Sequence, residues 1–307
     1  MISVSNLSKR YNTVQALKGI SFDIKQGEFF GLLGPNGAGK TTTISIMNTI
    51  LKPDEGSVEI AGYDLKRNPI ECKKIIGVVP QEIALYNELS AYKNLIFWGG
   101  LYKIPSSELK LRINETLKLF GLLDRKNDKV KTYSGGMKRR INIASALLHK
   151  PKILFLDEPT VGIDPQSRNL IFEVIEKLHQ EGMTIVYSTH YMEEAERLCD
   201  RIGIIDDGRI IAQGTFDELK SSNNMKETIV ISFVDLTNEL FDKIASAWKD
   251  LKRIENSIHF YSSHVKNDLS KVILKCSEIG LDILQINIQK INLETIFLSL
   301  TGKQLRD

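Results

Sequence analysis

The stretch Gly34-Pro35-Asn36-Gly37-Ala38-Gly39-Lys40-Thr41 constrains this chain more than any other, because it fits G-x-x-x-x-G-K-(S/T) in a specific setting. The apolar run FFGLLG, residues 29–34, precedes it and reads as a short buried parallel strand. KTTTISIMNTIL follows, with a helical spacing that puts Ile44, Met47, Ile50 and Leu51 on one face. Glycines in such a strand-to-helix turn let backbone N–H groups curl around a phosphate with no Cβ in the way. The helix N-terminus adds its partial positive charge. The sequence therefore predicts a nucleotide-phosphate site in which Lys40 bridges the β- and γ-phosphates and the Thr41 hydroxyl ligates Mg²⁺.

The second half of such a site is also readable. KILFLDEPT is an apolar strand ending in two acids. Asp157 then lies at the C-terminal end of a buried strand, where ligands bind in an open α/β sheet. A carboxylate there can hold Mg²⁺, and Glu158 is placed to orient or deprotonate an attacking water. MTIVYSTH ends in His190 and IIGVVPQ ends in Gln81, so both are expected on the same sheet edge. There His190 is suited to a γ-phosphate contact, and the Gln81 amide can reach Mg²⁺ or the water. Taken alone, either residue is also compatible with a structural role.

The remaining pattern is strand-helix alternation, which implies a parallel sheet covered by helices. Residues 1–33 read as short strands with Gly and Asn turns. The segment from Ala91 to about Asp124 is helical, with Leu95, Trp98, Leu109, Ile113, Leu117 and Phe120 as its apolar positions. SRNLIFEVIEKLHQEG is an amphipathic helix closed by Gly182, and RIGIIDDGRIIAQG is a hairpin on an Asp-Gly turn. ELKSSNNMKE is polar and turn-rich, which places a domain boundary near residue 224. Beyond it the pattern predicts strands at 228–234, 252–256, 258–262 and 282–290, helices at 236–250 and 265–279, and a short final helix. That βαββαβ order suggests a small ferredoxin-like α+β module over 225–307.

A second glycine pair occurs in KTYSGGMKRR. Ser134 is a cap residue for the helix that Gly135 and Gly136 open, and such a helix N-terminus is an anion site. Phosphate loop, Gln81, Ser134-Gly135-Gly136, Asp157-Glu158, Asp164 and His190, in that order, resemble the ATP-binding subunits of ABC transporters over about residues 1–220. The resemblance implies a RecA-like P-loop core in residues 1–224, with an antiparallel β subdomain and a helical subdomain at about 90–150. It implies ATP and Mg²⁺ as cofactors, with Gly34, Pro35, Asn36, Gly37, Ala38, Gly39, Lys40, Thr41 and Thr42 around the phosphates. Tyr11 corresponds to the residue that stacks on adenine. Thr41, Gln81 and Asp157 correspond to the metal site, Glu158 to the catalytic base and His190 to the switch histidine. The turn Ser134-Gly135-Gly136 then faces ATP held by a second subunit, so that a head-to-tail homodimer buries two ATP molecules.

Three departures from the family pattern stand out: Tyr133 for Leu, Met137 for Gln, and Val161-Gly162-Ile163-Asp164 for Ser-Ala-Leu-Asp. YSGGMKRR, TVGIDPQSR, YSTHYMEEAERLCDRI and INLETIFLSLTG together look most like the drug, antibiotic and polysaccharide exporter branch. A separately encoded membrane-spanning permease is then the implied partner, contacted beside Gln81; Phe97, Trp98 and Tyr102 in the following segment fit either core packing or a hydrophobic socket for a partner helix. The implied location is cytoplasmic, peripheral on the cytoplasmic face of the membrane. A soluble ATPase of the same family, with a regulatory, self-immunity or nucleic-acid-linked role, is the alternative.

Composition narrows the partners. Net charge is +3 from 41 basic and 38 acidic residues, which argues against a dedicated nucleic-acid binder. No apolar run approaches a bilayer span, and the N-terminus has no apolar signal core. Cys72, Cys199 and Cys276 have no metal or redox spacing and read as reduced, buried thiols. In Lys138-Arg139-Arg140, successive helical positions point about 100° apart, so the run makes no single stripe. It reads as a solvated face whose field favours nearby phosphates.

Overall fold

The structure, a computed structural model, describes residues 1–222, 226–245, 251–262, 264–289 and 291–302. Strands β1 (Ile2–Tyr11) and β2 (Val14–Ile24) form an antiparallel hairpin. They are long rather than short. Asn6 (φ 48°) and Gly19 (φ 78°) lie within the strands, where the pairing register shifts, and do not end them. Strand β3 (Phe29–Leu33) is buried throughout and leads through the glycine loop into α1 (Lys40–Met47). This helix stops earlier than its apolar spacing implies. Thr49 adopts a left-handed φ of 67° and Ile50 is 73% exposed, so Ile44 and Met47 carry the buried face. Strands β4 (Glu55–Ile60) and β5 (Tyr63–Asp64) complete an antiparallel sheet of order β2-β1-β4-β5.

Helix α2 (Pro69–Ile75) and strand β6 (Ile76–Val79) follow. The expected helical stretch from 91 to 124 is two helices, α3 (Ala91–Leu101) and α4 (Ser106–Leu119). Between them Lys103 has φ 55° and Pro105 precedes α4, which interrupts the helical path. Leu95, Ile113 and Leu117 of these helices pack with Ile141 and Ile143 of α5 (Gly135–Leu147).

The main sheet is built from β3 and β6 with β7 (Ile153–Asp157), β8 (Thr184–Thr189), β9 (Arg201–Asp206) and β10 (Arg209–Gly214). Helices α6 (Pro165–Gln180) and α7 (Met192–Leu198) fall between β7, β8 and β9. The order is β10-β9-β3-β8-β7-β6, parallel from β9 to β6 and antiparallel only at β10. Asp207 and Gly208, with φ 44° and 71°, make the tight β9–β10 turn. Both faces of this sheet are covered. Phe29, Leu154, Leu156 and Tyr187 pack toward the helices, while Phe30, Leu32, Phe155 and Val186 pack toward α1 and the antiparallel sheet. Burial on two faces explains why these strands are continuous apolar runs. Their common direction brings the C-terminal ends of β3, β6, β7 and β8 to one edge.

The chain divides into two compact units, Met1–Phe216 and Asp217–Gly302. The division falls in α8 (Phe216–Ser222), whereas the expected boundary near 224 lies outside the described residues. The second unit contains β11 (Glu227–Phe233), α9 (Asn238–Ala245), β12 (Lys252–Ile254), β13 (Ser257–Ser262), α10 (Val265–Glu278), β14 (Ile283–Gln289) and α11 (Leu293–Thr301). Its sheet order, β12-β13-β11-β14 with every neighbour antiparallel, is that of a ferredoxin-like module. Ile229, Ile231, Phe260, Val272 and Cys276 form its core. Residues 246–250 of the expected helix, residue 290 of the expected strand and the tail 303–307 lie outside the described residues.

Candidate functional site

The shared edge of strand ends holds most of the sequence-predicted residues. Between β3 and α1 the chain turns on Gly39, whose φ of 112° belongs to glycine; a Cβ there would sit 2.7 Å from Leu17 and 2.9 Å from the Ala16 carbonyl. Gly34 donates to the Thr189 carbonyl at 3.3 Å, Ala38 to the Pro35 carbonyl at 3.2 Å, and Gly208 to the Ala38 carbonyl at 3.0 Å, which anchors the loop at both ends. The N–H groups of Gly37, Gly39, Lys40 and Thr41 have no protein acceptor among the described residues. Asn36, Gly37, Gly39, Lys40, Thr41 and Thr42 line one side of a cleft of about 200 Å³, faced by Gln81, Glu158 and Ala16.

Lys40 is 4% exposed, yet its ammonium is fully served. It donates to the Gly34 carbonyl at 2.7 Å and the Pro35 carbonyl at 3.0 Å, and stands 3.1 Å from Glu158 Oε1. Glu158, 5% exposed with φ 44°, is the centre of a polar cluster. Its Oε1 lies 3.3 Å from His190 Nδ1, its Oε2 accepts the Gln81 amide at 3.3 Å, and its N–H donates to Ser188 Oγ at 3.0 Å.

Asp157 faces Thr41, whose hydroxyl lies 3.3 Å from its Oδ1, and accepts the Ser188 hydroxyl at 2.6 Å. Burial pushes the Asp157 carboxyl up from its ordinary value, and the Glu158 charge adds to this; the Ser188 and Thr41 hydrogen bonds and the Lys40 charge oppose it. Two buried carboxylates beside one ammonium, with a hydroxyl and an amide in reach, fit a hard divalent cation that keeps several waters. No group of three or more His, Cys, Asp or Glu suited to a metal occurs among the described residues.

Two predicted elements stand apart from the cleft lining. Tyr11 is 45% exposed at the tip of the β1–β2 hairpin. Ser134, Gly135 and Gly136 open α5, and the Ser134 hydroxyl caps it by accepting the Met137 N–H at 3.2 Å. Gly136 has no room for a Cβ, which would meet Ser167 Oγ at 2.1 Å. Tyr133 is buried and donates to the Arg125 carbonyl at 2.6 Å, so the Leu-to-Tyr departure is absorbed by packing plus one hydrogen bond.

The basic run departs from its expected role. Arg139 is 3% exposed, not solvated, and donates to the carbonyls of Pro80 and Gln81. Arg140 donates to the Phe120 carbonyl at 3.0 Å. A helix places adjacent residues on different faces, and here two of the three charges turn inward to backbone carbonyls. Sequence reasoning also missed Ser188 and Glu194. The buried Glu194 carboxylate accepts hydroxyls from Thr160 at 2.7 Å, Tyr187 at 2.8 Å and Thr189 at 2.9 Å. It thereby ties the segment after Glu158 to β8, the strand that ends just before His190. In the sequence Glu194 is one acid among several in YMEEAERLCD, with no signal that it is buried.

Comparison with known proteins decides the family. A family model described as ABC transporter matches residues 17–161. The linearmycin resistance ATP-binding protein LnrL of Bacillus subtilis (strain 168) is 45% identical over 100% of both chains. The chain belongs to the ABC transporter family. The Nod factor export ATP-binding protein I of Ralstonia nicotianae is 34% identical to this ABC protein over 100% of this chain and 95% of its own. Among solved structures, the dimeric post-hydrolysis state of the ATP-binding cassette MJ0796 bound to ADP and Pi matches with TM-score 0.65 and 31% identity. That match covers 70% of this chain and 98% of the other. The first unit is therefore the RecA-like cassette of an ABC ATPase, an ATP-binding and ATP-hydrolysing subunit. Among the described residues, no helix is long and apolar enough to cross a membrane.

Proposed function

We propose that this ABC ATPase is the motor of an export transporter, in which two copies meet head to tail around two Mg²⁺-ATP and drive a separately encoded membrane-spanning subunit. The observation that carries the reading is the meeting of Lys40, Thr41, Asp157, Glu158, Gln81 and His190 at one edge, with a second capped helix N-terminus at Ser134 outside that cleft. Lys40 binds the β- and γ-phosphates, with the loop N–H groups around it. Thr41 and Asp157, with Gln81, hold Mg²⁺, which when bound neutralises charge on the phosphates. Glu158 orients the attacking water and accepts its proton, and His190, 3.3 Å away, holds that carboxylate and senses the γ-phosphate. Tyr11 stacks on adenine.

Ser134, Gly135 and Gly136 complete the site of the second copy. Binding then closes the pair, and hydrolysis removes the shared ligand. The names of the relatives, linearmycin resistance and Nod factor export, favour export over import. The permease docks beside the Gln81 loop, where Tyr86, Phe97, Leu101 and Tyr102 expose apolar surface on and before α3. The work is peripheral, on the cytoplasmic face of the membrane. The Asp217–Gly302 unit, which holds no catalytic constellation among the described residues, serves dimerisation or regulation.

The test is sizing of Glu158→Gln with ATP and with ADP, together with recovery of the tagged wild-type chain from solubilised membranes. A dimer in ATP only, and co-elution of a membrane-spanning protein, are expected. A monomer in both nucleotides refutes the ATP-held pair. A dimer without any membrane partner favours the soluble regulatory reading.

A further inference from the structure

The loop from Pro80 to Tyr86 carries Gln81 and is gripped by three buried polar side chains. Arg139 lies one turn into α5 and donates from Nη1 to the Pro80 carbonyl at 2.7 Å and from Nη2 to the Gln81 carbonyl. Asn142, three residues further along α5, accepts the Ala84 N–H at 3.3 Å. Asn94 of α3 accepts the Tyr86 N–H at 2.8 Å and donates to the Tyr86 carbonyl at 3.0 Å. All three are nearly inaccessible, at 3%, 2% and 0% exposed.

Arg139 is the costly member of this set. Among the described residues its Nε has no hydrogen-bond acceptor. Burial pulls its pKa down, and the Asp157 charge only partly offsets this. An apolar side chain of similar length would fill the same space without that desolvation cost. Packing alone therefore gives no reason for a guanidinium here. Its two hydrogen bonds do: both end on the backbone that sets the position of Gln81, whose amide meets Glu158 Oε2 at 3.3 Å.

We propose that Arg139 is a positioning residue, which holds the Gln81 backbone so that its amide stays on Glu158, and which joins that amide to the Ser134-Gly135-Gly136 turn at the head of the same helix. Occupation of the turn by the nucleotide of a second copy is then felt at Gln81 through one helical turn and one side chain. The inference rests on the role given to Glu158 under Proposed function.

The test is a double-mutant cycle on the full chain, using Arg139→Met, Gln81→Ala and their combination, with kcat and KM for ATP as readouts. Arg139→Met should lower kcat about tenfold and leave KM within about twofold. In the Gln81→Ala background the same substitution should change kcat by less than about twofold, because the group it positions is gone. Arg139→Lys, which keeps the charge and can serve one carbonyl, should recover part of the loss. An unchanged kcat in Arg139→Met overturns the inference, as does an equal loss in both backgrounds. If Arg139→Met does not fold, Arg139→Lys and Arg139→Gln run the same cycle. Failure of the Glu158 role would appear separately, as full turnover in Glu158→Gln, whatever the coupling between Arg139 and Gln81.

Discussion

Replacing Glu158 by Gln keeps the shape of the side chain and removes one buried charge. The carboxylate faces Lys40 at 3.1 Å, His190 at 3.3 Å and Gln81 at 3.3 Å, so the substitution is felt by all three. Lys40 keeps two carbonyl acceptors and an amide oxygen, so folding should survive with a loss on the order of 1–2 kcal/mol. The chemical step loses its proton acceptor. General-base catalysis is worth about 10²–10⁴ in rate, or ~3–5 kcal/mol of barrier. Removing a negative charge so near Lys40 should also tighten binding of the anionic nucleotide, by roughly 2- to 10-fold. Steady-state phosphate release and equilibrium binding of a fluorescent ATP analogue measure the two effects. Turnover within threefold of wild type (that is, a barrier change under about 1 kcal/mol) would refute the base assignment. Weaker nucleotide binding would refute the electrostatic argument even if turnover fell.

Other substitutions probe separate parts of the site. Lys40→Ala should abolish tight nucleotide binding, since the side chain supplies the charge inside the cleft; unchanged affinity by titration would contradict the loop reading. Asp157→Asn tests the raised carboxyl: burial penalises its ionised form above the folded pKa, and the penalty fades as pH falls through that value. The variant should therefore melt higher at neutral pH without nucleotide, by about 2–4 °C for a gain near 1 kcal/mol, yet gain less from Mg²⁺ with ATP. A lower melting temperature without ligand would contradict the desolvation account. Glu194→Ala leaves the hydroxyls of Thr160, Tyr187 and Thr189 without their shared acceptor and should cost on the order of 2–4 kcal/mol in urea unfolding. Glu194→Gln keeps one acceptor oxygen and puts an amide N–H2 donor in place of the other, so it should lose less, and an equal loss would show that both carboxylate oxygens are needed as acceptors.

What could be read from the sequence was local. The glycine loop between an apolar strand and a helix, the acids closing KILFLDEPT, and Ser134 before a glycine pair each carry their chemistry in adjacent residues. The ferredoxin-like order of the second unit was legible because its strands and helices alternate with clear turns. Tertiary contacts were not legible. Arg139 looked like one charge in an exposed run, because nothing in KRR reveals that its middle residue faces Pro80 and Gln81. Nor does YMEEAERLCD mark Glu194, among its several acids, as the one that is buried. In the sequence the β1–β2 hairpin reads as short strands because Gly19 and Asn6 resemble turn residues, whereas the long pairing absorbs them as register shifts. The interruption between α3 and α4 did have a signal in Gly99, Gly100 and Pro105.

The central claim is that each ATP site is shared between two copies, with Lys40 from one and Ser134 from the other. Mixing two inactive variants tests it directly. Ser134→Asp keeps an N-cap acceptor for α5 but sets a negative charge where phosphate would approach. Mixed with Lys40→Ala, it forms pairs in which one site combines both defects and the other combines an intact loop with an intact turn. Each variant alone should hydrolyse ATP poorly, and the equimolar mixture should regain about a quarter of wild-type turnover by random pairing. A mixture no more active than the mean of its two components would contradict the shared site.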